Sequence, residues 1–162
     1  MKKIILCAAI FLTAAILKPA DAQIRLNVNI GSQPAWGPVG YDHVDYYYLP
    51  DMNMYYYVPS QQFVYLSNGR WIFSVNRPVQ YRNYDLYSGY KVVVNEPSAY
   101  LLYKEHQVKY SGYKGNRGGQ VIIRNSKEPK YYVVKGHPKY KNNGQGNNRG
   151  QGNGNGKKRR NN

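Results

Sequence analysis

A histidine placed between carboxylates is the first feature of the sequence that could do chemistry. His43 follows Asp42 and precedes Asp45 by two positions. On a strand, His43 and Asp45 would share one face because side chains alternate, and a metal ion could use such a pair. The other two histidines, His106 and His137, lie far away in the sequence and add no nearby ligands. We therefore expect no metal site and interpret the segment as the polar start of a strand.

Enzyme motifs are missing from the sequence. It contains no Gly-x-Ser-x-Gly, no phosphate-binding glycine loop and no His-Glu-x-x-His. Hydrolysis of a glycan needs two opposed carboxylates, and the five acidic residues of the segment 23–100 are scattered. The sequence predicts a protein that is not an enzyme and uses no cofactor.

The N-terminus has the three parts of a secretory signal peptide. Lys2 and Lys3 form a positive start, an apolar run follows over 4–17, and 20–22 (Ala-Asp-Ala) supply a cleavage site between small residues. The run is shorter than the roughly 20 residues of a membrane-spanning helix; an uncleaved anchor is the alternative. Cys7, the single cysteine, lies within this run, so the mature chain has no thiol for disulfides, metals or catalysis. We expect cleavage after 1–22 and export to the periplasm, the outer-membrane surface or the medium.

Tyrosine-rich runs and turn signals predict the first strands. Two similar runs, 46–50 (YYYLP) and 55–59 (YYYVP), each end in proline. Tyrosine suits a half-buried pleated surface, and proline ends a strand because it cannot donate to the hydrogen-bond ladder. A second hairpin is predicted for 63–66 and 70–73, because they flank Asn68-Gly69 and both residues accept positive φ.

The remaining elements complete a mainly β fold. Strands are predicted at 90–94, 121–123 and 131–134, and the last two would form a basic hairpin within 120–135. A short helix is predicted over 96–109, with Asn95 as its cap and Pro97 in its first turn. We expect a small antiparallel meander, either an open sheet or a small barrel. The tyrosine-rich β domain would span 23–135 and be most compact over about 40–110.

The spacing of the aromatic residues resembles a group of small uncharacterised exported proteins of Gram-negative bacteria. Their YYYxPxxxxYY and YxYxxxGxW pattern is carried here by 46–57 and by 63–71, and the segment 121–131 and the Gly/Asn/Lys/Arg-rich tail are also similar. This resemblance implies an envelope or secreted location. It brings no activity, ligand or catalytic residue.

Positive charge is concentrated in the second half of the chain. Residues 23–100 contain five basic and five acidic residues, whereas 101–162 contain 15 Lys or Arg against two Glu. Such asymmetry indicates an arm for anionic partners. The tail 136–162 is predicted to be disordered, because its last part, 142–162, contains only Asn, Gly, Gln, Arg and Lys and can bury no apolar surface. The candidate polyanion-binding residues are Lys157, Lys158, Arg159, Arg160, Arg149, Lys139, Lys141 and Arg117.

Three functions are compatible with these features. The first is a non-enzymatic envelope or secreted protein whose basic tail binds anionic envelope polymers or lipid headgroups; a tail that only keeps the protein soluble is the alternative. The second is a carbohydrate-binding module, and the third is a matrix protein that self-associates. The second rests on an exposed aromatic platform, expected because a single-layer sheet cannot bury both faces. This platform would consist of Tyr46, Tyr48, Tyr55, Tyr57, Tyr65 and Trp71.

Overall fold

A five-stranded antiparallel sheet forms the centre of the computed structural model, which describes residues 28–141. Strands β1 (Tyr46–Leu49), β2 (Met54–Tyr57), β3 (Gln62–Ser67) and β4 (Arg70–Ser74) follow one another as a meander, and β5 (Val92–Val94) pairs with β1. The order β4-β3-β2-β1-β5 leaves β4 and β5 at the edges. The predicted mainly β meander is therefore confirmed, and it is an open sheet.

Positive-φ residues lie in the turns that join β1 to β2 and β3 to β4. Asn68 and Gly69 have φ values of 48° and 73° between β3 and β4, as the Asn-Gly signal predicts. Asn53 has φ 47° in the turn between β1 and β2. Asparagine tolerates this left-handed conformation better than most residues do, so local sequence fixes both turns.

Alternation of side chains divides the tyrosines of β1 and β2 between two faces of the sheet. The front face carries Tyr46, Tyr48, Tyr55 and Tyr57, and the back face carries Tyr47 and Tyr56. Both faces are covered by other parts of the chain. The segment 99–110 packs on the front face, and Trp36 together with the segment 81–86 packs on the back face.

One short α-helix covers the front face. It is α1 (Tyr103–Lys109), and a 3-10 turn, Ala99–Leu102, precedes it. The predicted helix over 96–109 therefore begins later than expected. Asn95 does not cap it, because its Oδ1 accepts a hydrogen bond from the Asp45 backbone N–H at 2.8 Å and so closes the start of β1. None of the helices formed by residues 28–141 combines the length and the apolar character needed to cross a membrane.

The predicted basic hairpin at 120–135 is wrong. The segment forms two 3-10 turns, Ile123–Asn125 and Pro129–Val133, and no strand. The N–H groups of Ile123 and Arg124 donate to the carbonyls of Gly37 and Ala35, both at 2.8 Å. Because these donors pair with the beginning of the described chain, they are not available for a local hairpin ladder.

The packed part of the chain continues past the predicted boundary at residue 135. His137 is buried, and its backbone N–H donates to the Val134 carbonyl at 3.0 Å. Residues 136–141 therefore belong to the folded body. The expected signal peptide, 1–22, and the rest of the predicted tail, 142–162, lie outside the described residues.

Candidate anion-binding site

The last described segment, residues 121–141, packs on the first one; we call it the C-terminal cap. Tyr131 and Val134 of the cap are fully buried in a small core with Ile30 and Ala35. The Tyr131 hydroxyl accepts a hydrogen bond from the Gly40 N–H at 2.7 Å. These contacts fix the backbone from which the following basic residues project.

A glycine and a histidine set the path of the chain after this core. Gly136 has φ 94°, and a Cβ atom at this position would lie 3.1 Å from the Ala35 Cβ. His137 then uses both ring nitrogens: Nε2 donates to the Ser126 carbonyl at 3.0 Å, and Nδ1 accepts from the Lys139 N–H at 3.0 Å. This pairing requires the neutral ring with its proton on Nε2. The hydrogen bond between the Lys139 N–H and the His137 ring therefore orients the chain that follows His137.

A surface hollow lies at the end of the cap. Val133 is 58 % exposed and Tyr140 is 38 % exposed, so apolar surface is available in it. The Lys139 ammonium lies 4.6 Å from the centre of the Tyr132 ring and donates to the Tyr132 hydroxyl at 3.0 Å. That hydroxyl donates in turn to the Lys127 carbonyl at 2.7 Å. The lining residues are Tyr132, Val133, Pro138, Lys139, Tyr140 and Lys141.

The lysines of this hollow differ from a neighbouring lysine in their partners. Lys130 forms an ion pair with Asp42 at 2.9 Å and lies 3.6 Å from Glu128. The hydrogen bond that the Lys130 ammonium donates to the Asp42 carboxylate raises the pKa of Lys130. In contrast, no carboxylate of residues 28–141 lies within ion-pair distance of Lys139 or Lys141. Their positive charge remains available to an external anion.

The predicted polyanion-binding residues are therefore only partly brought together. Lys139 and Lys141 line the same hollow. Arg117 is elsewhere, because its guanidinium packs 5.5 Å from the centre of the Tyr84 ring. Arg149, Lys157, Lys158, Arg159 and Arg160 lie outside the described residues.

The predicted exposed aromatic platform is wrong, because most of it is covered. Tyr46, Tyr48 and Tyr55 are 6 %, 1 % and 0 % exposed. Tyr100 and Tyr110 pack on this front face, with the Tyr110 ring 5.7 Å from Tyr48. Of the other three members, Tyr57 and Trp71 are half-buried on the front face, whereas Tyr65 lies on the back face.

His106 is a buried residue whose role the sequence did not indicate. Its Nδ1 lies 2.8 Å from the Tyr55 hydroxyl, and its Nε2 lies 3.5 Å from a Glu96 carboxylate oxygen. The three residues come from separate segments, so no spacing rule could have grouped them. Since Tyr55 and His106 are buried, this chain of contacts fastens α1 to the sheet.

His43 and Asp45 precede β1 and are in contact, with Nε2 and Oδ1 3.1 Å apart. Within the part of the chain that the structure describes, no three His, Cys, Asp or Glu side chains come together as a metal site.

The chain matches no family model, no curated protein and no solved structure with which it was compared. Its fold and its cap define a small mainly β domain with a basic, aromatic surface.

Proposed function

We propose that the protein is a non-enzymatic, exported protein that binds anionic polymers or anionic lipid surfaces of the cell envelope. The observation that carries this proposal is the hollow of the C-terminal cap. Lys139 and Lys141 line it together with Tyr132 and Tyr140, and no carboxylate of residues 28–141 lies within ion-pair distance of either lysine. Ammonium groups of this kind attract phosphate, sulfate and carboxylate groups.

The charge of the cap continues into the end of the chain. Residues 101–141 contain ten Lys or Arg against two Glu, and 142–162 add five more basic residues and no acidic ones. Each basic residue near an anionic surface contributes about 1 kcal/mol. A basic surface hollow followed directly by this basic sequence supports binding to an extended anionic partner.

The exported location rests on the N-terminal sequence. A positive start, an apolar run and a small-residue cleavage site stand in the order that secretory signals require. The resemblance to small tyrosine-rich exported proteins also supports an exported location. Export brings the basic half within reach of envelope anions such as lipopolysaccharide phosphates and acidic polysaccharides.

Retention on immobilised heparin and on duplex DNA across a salt series tests the proposal. For DNA, log affinity should fall with log salt with a slope of about −0.9 per neutralised phosphate. Replacing Lys139 and Lys141 by glutamine should make this slope shallower by up to about two such contacts. Deleting 142–162 should reduce it further, because five basic residues are lost.

A matched control uses two exposed lysines of α1. Lys104→Gln with Lys109→Gln removes the same charge outside the cap, so it should change the slope less than the cap pair does. Equal effects of both pairs would show that net charge alone matters and would reject the cap as the site. Retention that does not respond to salt would reject polyanion binding altogether.

A further inference from the structure

A groove runs along the end of the sheet at which β1 turns into β2. Its middle part lies between that turn, β3, the 3-10 turn Val79–Tyr81 and α1. It shares Tyr65 and Gln80 with a hollow that continues along β3, and Asn53 and Gln107 with a hollow that continues towards Tyr110. Because neighbouring hollows share these residues, we treat the three as one surface and call it the tyrosine–amide groove. Its central residues are Asn53, Tyr65, Gln80, Tyr81, Tyr103 and Gln107.

The polar groups of the tyrosine–amide groove are mostly uncharged. No Asp or Glu is among the residues that line its three parts. Gln80 and Gln107 are exposed, and their side chains make no hydrogen bond to another residue of 28–141. A carboxamide donates and accepts at once, which matches a ligand that presents hydroxyl groups.

Two residues of the groove, Asn53 and Tyr103, are held in place by contacts with the rest of the fold. The Asn53 Oδ1 accepts a hydrogen bond from the Tyr48 hydroxyl at 3.1 Å, so its NH₂ group is left as the donor. The Tyr103 ring packs edge-on against Trp71, with 5.5 Å between ring centres. Rings and amides held in this way lose little conformational freedom on binding.

One arginine closes the loop that forms the outer wall. The Arg77 guanidinium donates to the carbonyls of Arg82 and Tyr84, at 2.9 and 2.5 Å. Because the Arg77 guanidinium is hydrogen-bonded to the chain's own backbone, it stabilises this loop. The centre of the groove is therefore left without a strong anion-binding group. The groove therefore differs in chemistry from the C-terminal cap, and it uses none of the cap's residues.

We propose that the tyrosine–amide groove binds an uncharged glycan chain. Sugar rings would pack on the partly exposed faces of Tyr65, Tyr81 and Tyr103, since an aromatic ring offers a large rigid apolar surface. The carboxamides of Gln80 and Gln107 would hydrogen-bond the sugar hydroxyl or acetamido groups. Three adjoining hollows along one surface suit a polymer better than a small molecule.

Titration of the full chain with the tetramer of N-acetylglucosamine and with cellotetraose tests this inference. We expect one of them to shift the side-chain amide NMR signals of Gln80 and Gln107, with an affinity unchanged in high salt. The double variant Gln80→Ala, Gln107→Ala should bind at least tenfold more weakly while keeping the fold. Both residues are exposed and make no hydrogen bonds to described residues, so loss of folding is not expected.

Lys104→Ala provides the control, because it is exposed on the same helix and does not line the groove; it should bind normally. The proposal is overturned if neither glycan shifts these signals at millimolar concentration, or if the double variant binds as well as the parent. A proline-rich peptide that binds where neither glycan does would also overturn it and would assign the groove to a protein partner. Retention on heparin is independent of these outcomes, so failure of either proposal is distinguishable from failure of the other.

Discussion

Alkaline pH should unfold this protein because its sheet holds protonated tyrosines away from water. Burial raises the pKa of Tyr48 and Tyr56 to about 12, and it raises the pKa of Tyr47 and Tyr55 further still. An unfolded tyrosine loses its proton near pH 10. Between pH 10 and 12 the unfolded chain therefore binds fewer protons than the folded one, and the free energy of unfolding falls as pH rises.

The size of the effect follows from the number of buried hydroxyls. A tyrosine that keeps its proton in the folded state but loses it in the unfolded state lowers the free energy of unfolding by up to about 1.4 kcal/mol per pH unit. The four tyrosines together would lower it by about 5 to 6 kcal/mol per pH unit. Solvent screening near the rims of the sheet reduces this sum to about 3 kcal/mol per pH unit. The loss from pH 10 to pH 12 is then about 6 kcal/mol, which is comparable with the whole stability of a small domain.

Urea unfolding followed by circular dichroism at each pH measures this loss, and near-UV absorbance counts the tyrosinates formed. Tyr56→Phe is the informative variant, because the Tyr56 hydroxyl makes no hydrogen bond to another described residue and its removal breaks no such contact. The variant should flatten the slope of the free energy of unfolding against pH by about a quarter. Tyr140→Phe, an exposed tyrosine outside the sheet, should leave the slope unchanged. Full ionisation of all tyrosines near pH 10 with the circular dichroism of the folded protein intact would refute the reasoning.

Three further perturbations probe single features. Burial lowers the pKa of Lys91 to about 8. Between pH 8 and 10 the unfolded chain therefore binds more protons than the folded one, and the free energy of unfolding should rise with pH. Lys91→Met should flatten this rise in the same urea series, and an unchanged rise would contradict its assignment to Lys91. Asp51 accepts hydrogen bonds from a tyrosine hydroxyl and from a backbone N–H of two distant segments, so Asp51→Asn should cost about 1.5–3 kcal/mol. The exposed Asp42→Asn should cost under about 1 kcal/mol, and equal costs in urea unfolding would argue against Asp51 as a junction. Gly136→Ala should cost about 1–3 kcal/mol because Gly136 has a positive φ and a Cβ atom there would crowd Ala35. Gly112→Ala, whose Cβ atom would meet open space, should change the thermal midpoint little; equal shifts of both midpoints would show that backbone strain at Gly136 is unimportant.

The elements that the sequence predicted well are those whose signals are local. The strands at 46–49 and 54–57 follow from tyrosine runs ended by turns, and the hairpin at Asn68-Gly69 follows from two residues that accept positive φ. These signals operate within a few residues, so they do not depend on how the rest of the chain packs.

The features that the sequence could not supply are long-range. The segment 121–134 has the composition of strands, but its backbone donors find Gly37 and Ala35 instead of each other. The front face looked available for a ligand because nothing in the sequence says that Tyr100 and Tyr110 return to cover it. The hollow of Lys139 and Lys141 depends in turn on Tyr131, whose partner Gly40 is 91 residues away.

This last contact has a kinetic consequence. Joining residues 91 positions apart closes a large loop, and contacts of such separation form slowly because the entropy of closure must be lost first. The meander of β1 to β4 needs no such closure, so we expect it to form earlier. During synthesis, the cap would be completed only after residues 121–141 have been made, so the anion binding proposed above would require a chain whose folding has finished.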